Sequence, residues 1–255
     1  MIHAVFFDLG GTIHIVNHSP KREEWFSAQV LQCLKNEGID LSVSSHELME
    51  IIRKNDPVYK HWAETNLREL PSAKVWNEYY LKDFQIGEKR LDPIAEELSV
   101  MYDRDRVENV LRPHVIETLQ ELKSMGMVLG VISNIISQSF VPNMLHSYGI
   151  DSYFASITCS EETGIRKPDP EIFEIAARRA QISLCEMAYV GDTLSRDVLG
   201  SRNAHLPLVI QINNPSTKFR DEGLIGTGLK PDFLIEDFNE IPDLIRAFNQ
   251  KASEE

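Results

Sequence analysis

The segment Val5-Phe6-Phe7-Asp8-Leu9-Gly10-Gly11-Thr12 constrains this chain more than any other: an apolar run ends at a carboxylate, and two glycines and a threonine follow. An unbroken apolar run is the pattern of a strand covered on both faces, and paired glycines mark a tight loop. Such strands belong to parallel sheets flanked by helices, so short apolar runs should alternate with amphipathic helices elsewhere in the chain.

They do so from Pro113 onward. Val115, Ile116, Leu119 and Leu122 fall on one helical face that Gly126 ends, and Met127 to Ile132 follows as a nearly continuous apolar run. Further strands are expected at Phe154 to Thr158, Met187 to Val190, Pro207 to Ile212 and Asp232 to Ile235, with helices near Pro170 to Ala180 and Ser195 to Ala204. The pattern predicts an α/β fold, a Rossmann-like parallel sheet with right-handed crossovers.

Between Thr12 and about Leu111 the patterning is mainly helical and reads as an insertion. Pro20 opens a helix carrying Trp25, Phe26, Val30, Leu31 and Leu34, which Gly38 ends. Ser44 and Glu47 have capping-box spacing ahead of a helix that buries Leu48, Ile51 and Ile52, and Asn55-Asp56-Pro57 is expected to break it. More helix is expected from Ala73 to Phe84 and from Asp92, an N-cap with Pro93 at the first helical position. The expected division is an α/β core of residues 1–15 and 113–255 around an inserted helical bundle of residues 16–112.

A net charge of -13 argues against a nucleic-acid binder, which needs clustered Lys and Arg. An anionic ligand would have to be held by local positive charge. Cys33, Cys159 and Cys185 are far apart and form no Cys-x-x-Cys spacing, which points to free thiols rather than disulfides or a zinc site. The first apolar run is short and lacks a basic flank, so neither a signal peptide nor a membrane span is expected. The expectation is a cytoplasmic protein, monomeric or homodimeric, with disorder confined to the tail from Lys251 to Glu255.

In open parallel sheets, ligands sit beyond the carboxyl ends of the strands, so the residues just after each apolar run are the informative ones. Four places stand out: Asp8; Ser133-Asn134 after Val131-Ile132; Arg166-Lys167-Pro168-Asp169-Pro170 ahead of a helix; and Gly191-Asp192-Thr193-Leu194-Ser195-Arg196-Asp197 after Tyr189-Val190. In this order they resemble the four motifs of the haloacid dehalogenase superfamily, the first of which reads Asp-x-Asp-x-Thr. Gly10 departs from that pattern, standing where most of the family's phosphatases carry a second aspartate. The resemblance implies a Rossmann-like catalytic core, an aspartyl-phosphate intermediate and a magnesium cofactor. It also implies that the inserted helices are the family's mobile cap.

The residue types suit that chemistry. Asp8 is the candidate nucleophile, and a carboxylate approaches a phosphate dianion only when a divalent cation neutralises both. Magnesium takes one or two carboxylates from a protein, a demand met by Asp8 and Asp192, and the resemblance adds the main-chain carbonyl of Gly10. Asp197 is placed to hold a coordinated water or to orient Asp192. Ser133 and Asn134 are candidate phosphate donors. Lys167, on a loop stiffened by Pro168 and Pro170, is a candidate catalytic and phosphate-binding charge beside Asp8. Arg166 and Arg196 are expected to make supporting ion pairs. His14, His18, Lys21 and Arg22 after the first loop, and Tyr59, Lys60, His61 and Trp62 in the bundle, are candidates to reach a substrate.

The leading expectation is a Mg²⁺-dependent phosphatase of a small phosphorylated metabolite. Gly10 keeps two alternatives in view: a 2-haloacid dehalogenase-like hydrolase, whose chemistry also lacks the second aspartate, and a catalytically weak phosphate-binding regulatory protein. A dehalogenase needs no metal, which would leave Asp192 and Asp197 as unexplained charge near Asp8.

Overall fold

The structure, a computed structural model, describes residues 1–254. The chain enters through β1 (Ala4–Phe7), whose four residues are all buried, and turns at Gly10-Gly11 into β2 (His14–His18). Helices α1 (Pro20–Asn36) and α2 (Ser45–Asn66) follow, then the single turns α3 (Ser72–Val75) and α4 (Glu88–Leu91), and α5 (Ala95–Arg104). The next strand, β3 (Val107–Leu111), pairs antiparallel with β2.

Beyond Pro113 the alternation is regular. It runs α6 (Val115–Ser124), β4 (Val128–Ser133), α7 (Phe140–Ser147), β5 (Phe154–Cys159), α8 (Ser160–Thr163), α9 (Glu171–Ala180), β6 (Met187–Gly191), α10 (Leu199–Asn203), β7 (Leu208–Ile212), β8 (Phe233–Ile235) and α11 (Ile241–Glu254). Six strands form one parallel sheet in the order β5-β4-β1-β6-β7-β8, the α/β architecture expected from the apolar runs. β1 lies in the middle, with Phe7 in register with Val131 on one side and Val190 on the other. Its carboxyl end, and hence Asp8, is therefore flanked by the ends of β4 and β6.

Side chains alternate across the sheet and bury both faces. Val5, Phe7, Leu129 and Val131 pack with Leu119, Leu122 and Ile245 on one side, while Phe6, Ile132 and Tyr189 pack with Ile172 and Phe173 on the other. A separate apolar cluster, from Phe26 to Tyr102 with Ile136 added, fills the space between the helices of the insertion. No helix among the described residues is long and apolar enough to cross a membrane.

The structure corrects several expectations. The stretch after Thr12 is not purely helical, because β2 and β3 form a ribbon at the entry and exit of the insertion. Pro57 lies inside α2 instead of ending it. Losing one backbone donor costs about 3 kcal/mol or more, offset here by the burial of Tyr59 and Ala63 beyond it and by the hydrogen bonds that Asp56 receives from Lys60, Tyr80 and Tyr102. Asp92 is not the N-cap of a long helix: it closes α4 and opens a 3₁₀ turn ahead of α5. Ile116 is exposed although its neighbours Val115 and Leu119 are buried. Residues from Lys251 continue α11 to Glu254, and Glu255 lies outside the described residues.

Candidate functional site

The ends of β1, β4 and β6 and the loop between α8 and α9 converge on one cavity of about 270 Å³, lined among others by Asp8, Ser133, Asn134, Lys167, Asp192 and Asp197. Asp8 is anchored by its own backbone, whose N–H donates to the carbonyl of Val190 at 2.9 Å. The loop after it needs glycine at position 11, where φ is +91° and a Cβ would lie 2.2 Å from Oδ2 of Asp192. Arg112 secures the same loop by donating from Nη2 to the Gly11 carbonyl at 2.7 Å.

At the centre is Lys167, only 3% exposed. Its Nζ donates at 2.7 Å to Oδ1 of Asp8, to Oδ1 of Asp197 and to the hydroxyl of Tyr189, and at 3.0 Å to the carbonyl of Ile132. Asn134 fixes the residue from outside: its Nδ2 donates to the Lys167 carbonyl and its Oδ1 accepts from the Lys167 N–H, both at 2.9 Å. The Asn134 side chain is thereby occupied in placing the lysine.

Asp8, Asp192 and Asp197 are buried and offer oxygens within 4.8 Å of one another. Thr193 caps Asp197 from its N–H at 3.0 Å and its hydroxyl at 2.6 Å, and a Cβ at Gly191 would fall 2.3 Å from the Asp197 side chain. Asp192 accepts from Asn214 and Thr217, both at 2.8 Å and both on Oδ2. Burial pushes the Asp8 carboxyl up to about 6 despite the Lys167 charge. Burial, with the charges of Asp197 and Asp8, pushes Asp192 up to about 7. Asp197 goes the other way, because Lys167 and the Thr193 hydrogen bonds outweigh its burial. Three clustered carboxylates, two of them paired with the one ammonium of Lys167, are a donor set suited to a hard divalent cation.

The remaining candidates divide. Gly10, His14, His18, Tyr59 and Lys60 line the cavity. Lys21, Arg22, His61 and Trp62 do not. Arg166 pairs with Glu69 in the interior and Arg196 with Glu64, the supporting role expected of both. Sequence reasoning missed Tyr189, Asn214, Thr217, Arg106, Arg112 and Arg220. Of these only Tyr189 stood in a recognised segment, and the segment Pro215–Leu224, which carries Thr217 and Arg220, has no apolar periodicity to mark it.

Residues 2–205 match the family model of the haloacid dehalogenase-like hydrolases. The chain belongs to that family. This haloacid dehalogenase-like hydrolase is 27% identical over 250 residues to the glyceraldehyde 3-phosphate phosphatase of Methanopyrus kandleri, covering 96% of this chain and 98% of that one. It is 30% identical over 162 residues to the phosphoglycolate phosphatase of Agrobacterium fabrum, covering 63% and 66% of the two chains. Among solved structures it resembles the 2-haloacid dehalogenase of Pseudomonas syringae, with a TM-score of 0.65 and 25% identity over 97% of this chain and 100% of that one.

Proposed function

We propose that this hydrolase is a Mg²⁺-dependent phosphatase of a small phosphorylated metabolite, with Asp8 as the nucleophile. The observation that carries the reading is the cluster of Asp8, Asp192 and Asp197 around Lys167 at the carboxyl end of β1. The names of the Methanopyrus and Agrobacterium relatives support the same substrate class.

The ion would be held by Asp8, Asp192 and the main-chain carbonyl of Gly10, and would supply the positive charge that lets two anions meet. Lys167 orients the Asp8 carboxylate by donating to its Oδ1, and the carboxylate attacks phosphorus. The P–O bond to the alcohol breaks as the Asp8–phosphorus bond forms, and water then releases phosphate from Asp8. Lys167 stabilises the charge that develops on the phosphoryl oxygens, helped by the Ser133 hydroxyl and the backbone N–H groups after β4. Asp197 acts through Lys167, keeping the ammonium charged and in place. Residues 1–15 and 113–255 form the catalytic core in this reading, and residues 16–112 are the cap that closes over it.

A screen of phosphorylated metabolites with and without Mg²⁺, run beside 2-chloropropionate, tests the proposal. Metal-dependent release of phosphate is expected. Halide release that survives EDTA would establish the dehalogenase alternative in its place.

A further inference from the structure

The cationic side chains lining the cavity are nearly all matched to acids. Lys167 is shared by Asp8 and Asp197, Arg166 pairs with Glu69, and Lys60 pairs with Asp56 at 2.6 Å. Arg196 and Arg220 share Glu64. Arg106 is the exception. Among the described residues it is in no ion pair, its Nε is buried without a hydrogen-bond partner, and its guanidinium lies 4.1 Å from the centre of the Tyr102 ring.

Asp56 and Asp103 lie near enough to favour its charge, but among the described residues neither forms an ion pair with it. Asp56 is occupied by Lys60, Tyr80 and Tyr102. Asp103 has a buried Oδ2 without a hydrogen-bond partner, and burial pushes its carboxyl well above the usual range. A guanidinium on a cavity wall with no ion-pair partner is a ready site for an anionic group. Its planar fork fits a carboxylate, and the cation–π contact with the Tyr102 ring helps to hold it in place. The phosphate is assigned to the strand ends at Asp8, Ser133 and Lys167, whereas Arg106 sits between α5 and β3, in the wall supplied by the insertion. Arg106 and those groups nevertheless line one and the same cavity.

We propose that Arg106 receives a carboxylate at the end of the substrate remote from the phosphate, an assignment that rests on the phosphatase reading above. The substrate class is a phosphorylated carboxylic acid. Arg106 sets the preference for it, and the charge pattern of the cavity places its two anionic ends in opposite sites.

Calorimetric titration of the Asp8→Asn protein in Mg²⁺ with 2-phosphoglycolate and with 2-hydroxyethyl phosphate isolates the carboxylate, since the two esters differ there. The carboxylate ester should bind about tenfold tighter or more, the scale of a charge-assisted pair of hydrogen bonds. Arg106→Met should erase that advantage, and Arg106→Lys should retain part of it through charge without the fork. Should Arg106→Met fail to fold, Arg106→Gln provides the same comparison. Equal binding of the two esters, or equal weakening of both by the substitution, would overturn the assignment. Turnover is a separate readout: if the wild type hydrolyses neither ester while the Arg106-dependent difference in binding persists, the phosphatase reading fails and the carboxylate site stands.

Discussion

Lys167 reaches Oδ1 of Asp8 at 2.7 Å from a position where its own charge is almost wholly removed from water. The bond orients the Asp8 carboxylate. It also makes the carboxylate dependent on its neighbours for ionisation, because burial alone drives the Asp8 carboxyl up.

Asp8→Asn preserves the shape of the side chain and removes the nucleophile. Phosphatase turnover should fall by ~10³-fold or more, since nucleophile deletions commonly cost at least that much. The metal-free variant should melt at the same temperature as wild type or higher, because a carboxyl with a raised pKa is one whose charge the fold disfavours. Residual activity within about tenfold of wild type would remove Asp8 from the reaction.

The pH dependence of stability follows from the same groups. Asp8 and Asp192 hold their protons to about 6 and about 7 in the fold, against 3.8 in a free carboxyl. Between those limits the folded chain binds more protons than the unfolded one, so their contribution falls as pH rises through the window. A divalent cation replaces the protons, and Mg²⁺ should therefore raise the melting temperature more at about pH 8 than at about pH 5. His14 has the opposite sign: burial pushes its imidazole down to about 4, so stability is lost as pH falls from 6.5 toward that value. Equal Mg²⁺ shifts at both pH values would count against the carboxylate cluster as a cation site.

Asn214 and Thr217 both hold Oδ2 of Asp192, leaving Oδ1 free of protein donors among the described residues. Asn214→Ala should loosen Asp192 and raise the Mg²⁺ concentration for half-maximal activity by ~10–100-fold, the range typical of partners that orient a metal ligand. The rate at saturating Mg²⁺ should change far less. A lower saturating rate with unaltered Mg²⁺ dependence would show that Asn214 serves something other than the ligand.

What the sequence made legible was whatever the sheet dictates. An apolar run fixes a strand, and the residue that ends or follows it must lie at the carboxyl edge, where Asp8, Ser133 and Asp192 are found. The ribbon of β2 and β3 was illegible because its His14–His18 strand runs from buried to exposed and carries two polar ends. Arg106 was hidden for a different reason. It closes the run Asp103-Arg104-Asp105-Arg106, which reads as alternating solvated charge, and only the fold shows that Arg104 pairs with Asp105 while Arg106 is left over.

Gly10 provides the most specific prediction. The position lacks the carboxyl that most of the family's phosphatases use to protonate the leaving alcohol, so activated esters such as p-nitrophenyl phosphate should be cleaved well relative to simple alkyl phosphates. The structure shows no wall built around the glycine: a Cβ there would meet only Nε2 of His14 at 3.8 Å and Cγ2 of Val16 at 3.9 Å, both ordinary contacts. Gly10→Asp should therefore be accommodated and should accelerate alkyl esters preferentially, by up to the ~10²–10⁴-fold that general acid–base catalysis supplies. The decisive comparison is kcat for a matched alkyl and aryl phosphate in both proteins. If the wild type already turns over the two at similar rates, a group other than residue 10 protonates the leaving oxygen and this account of Gly10 is overturned.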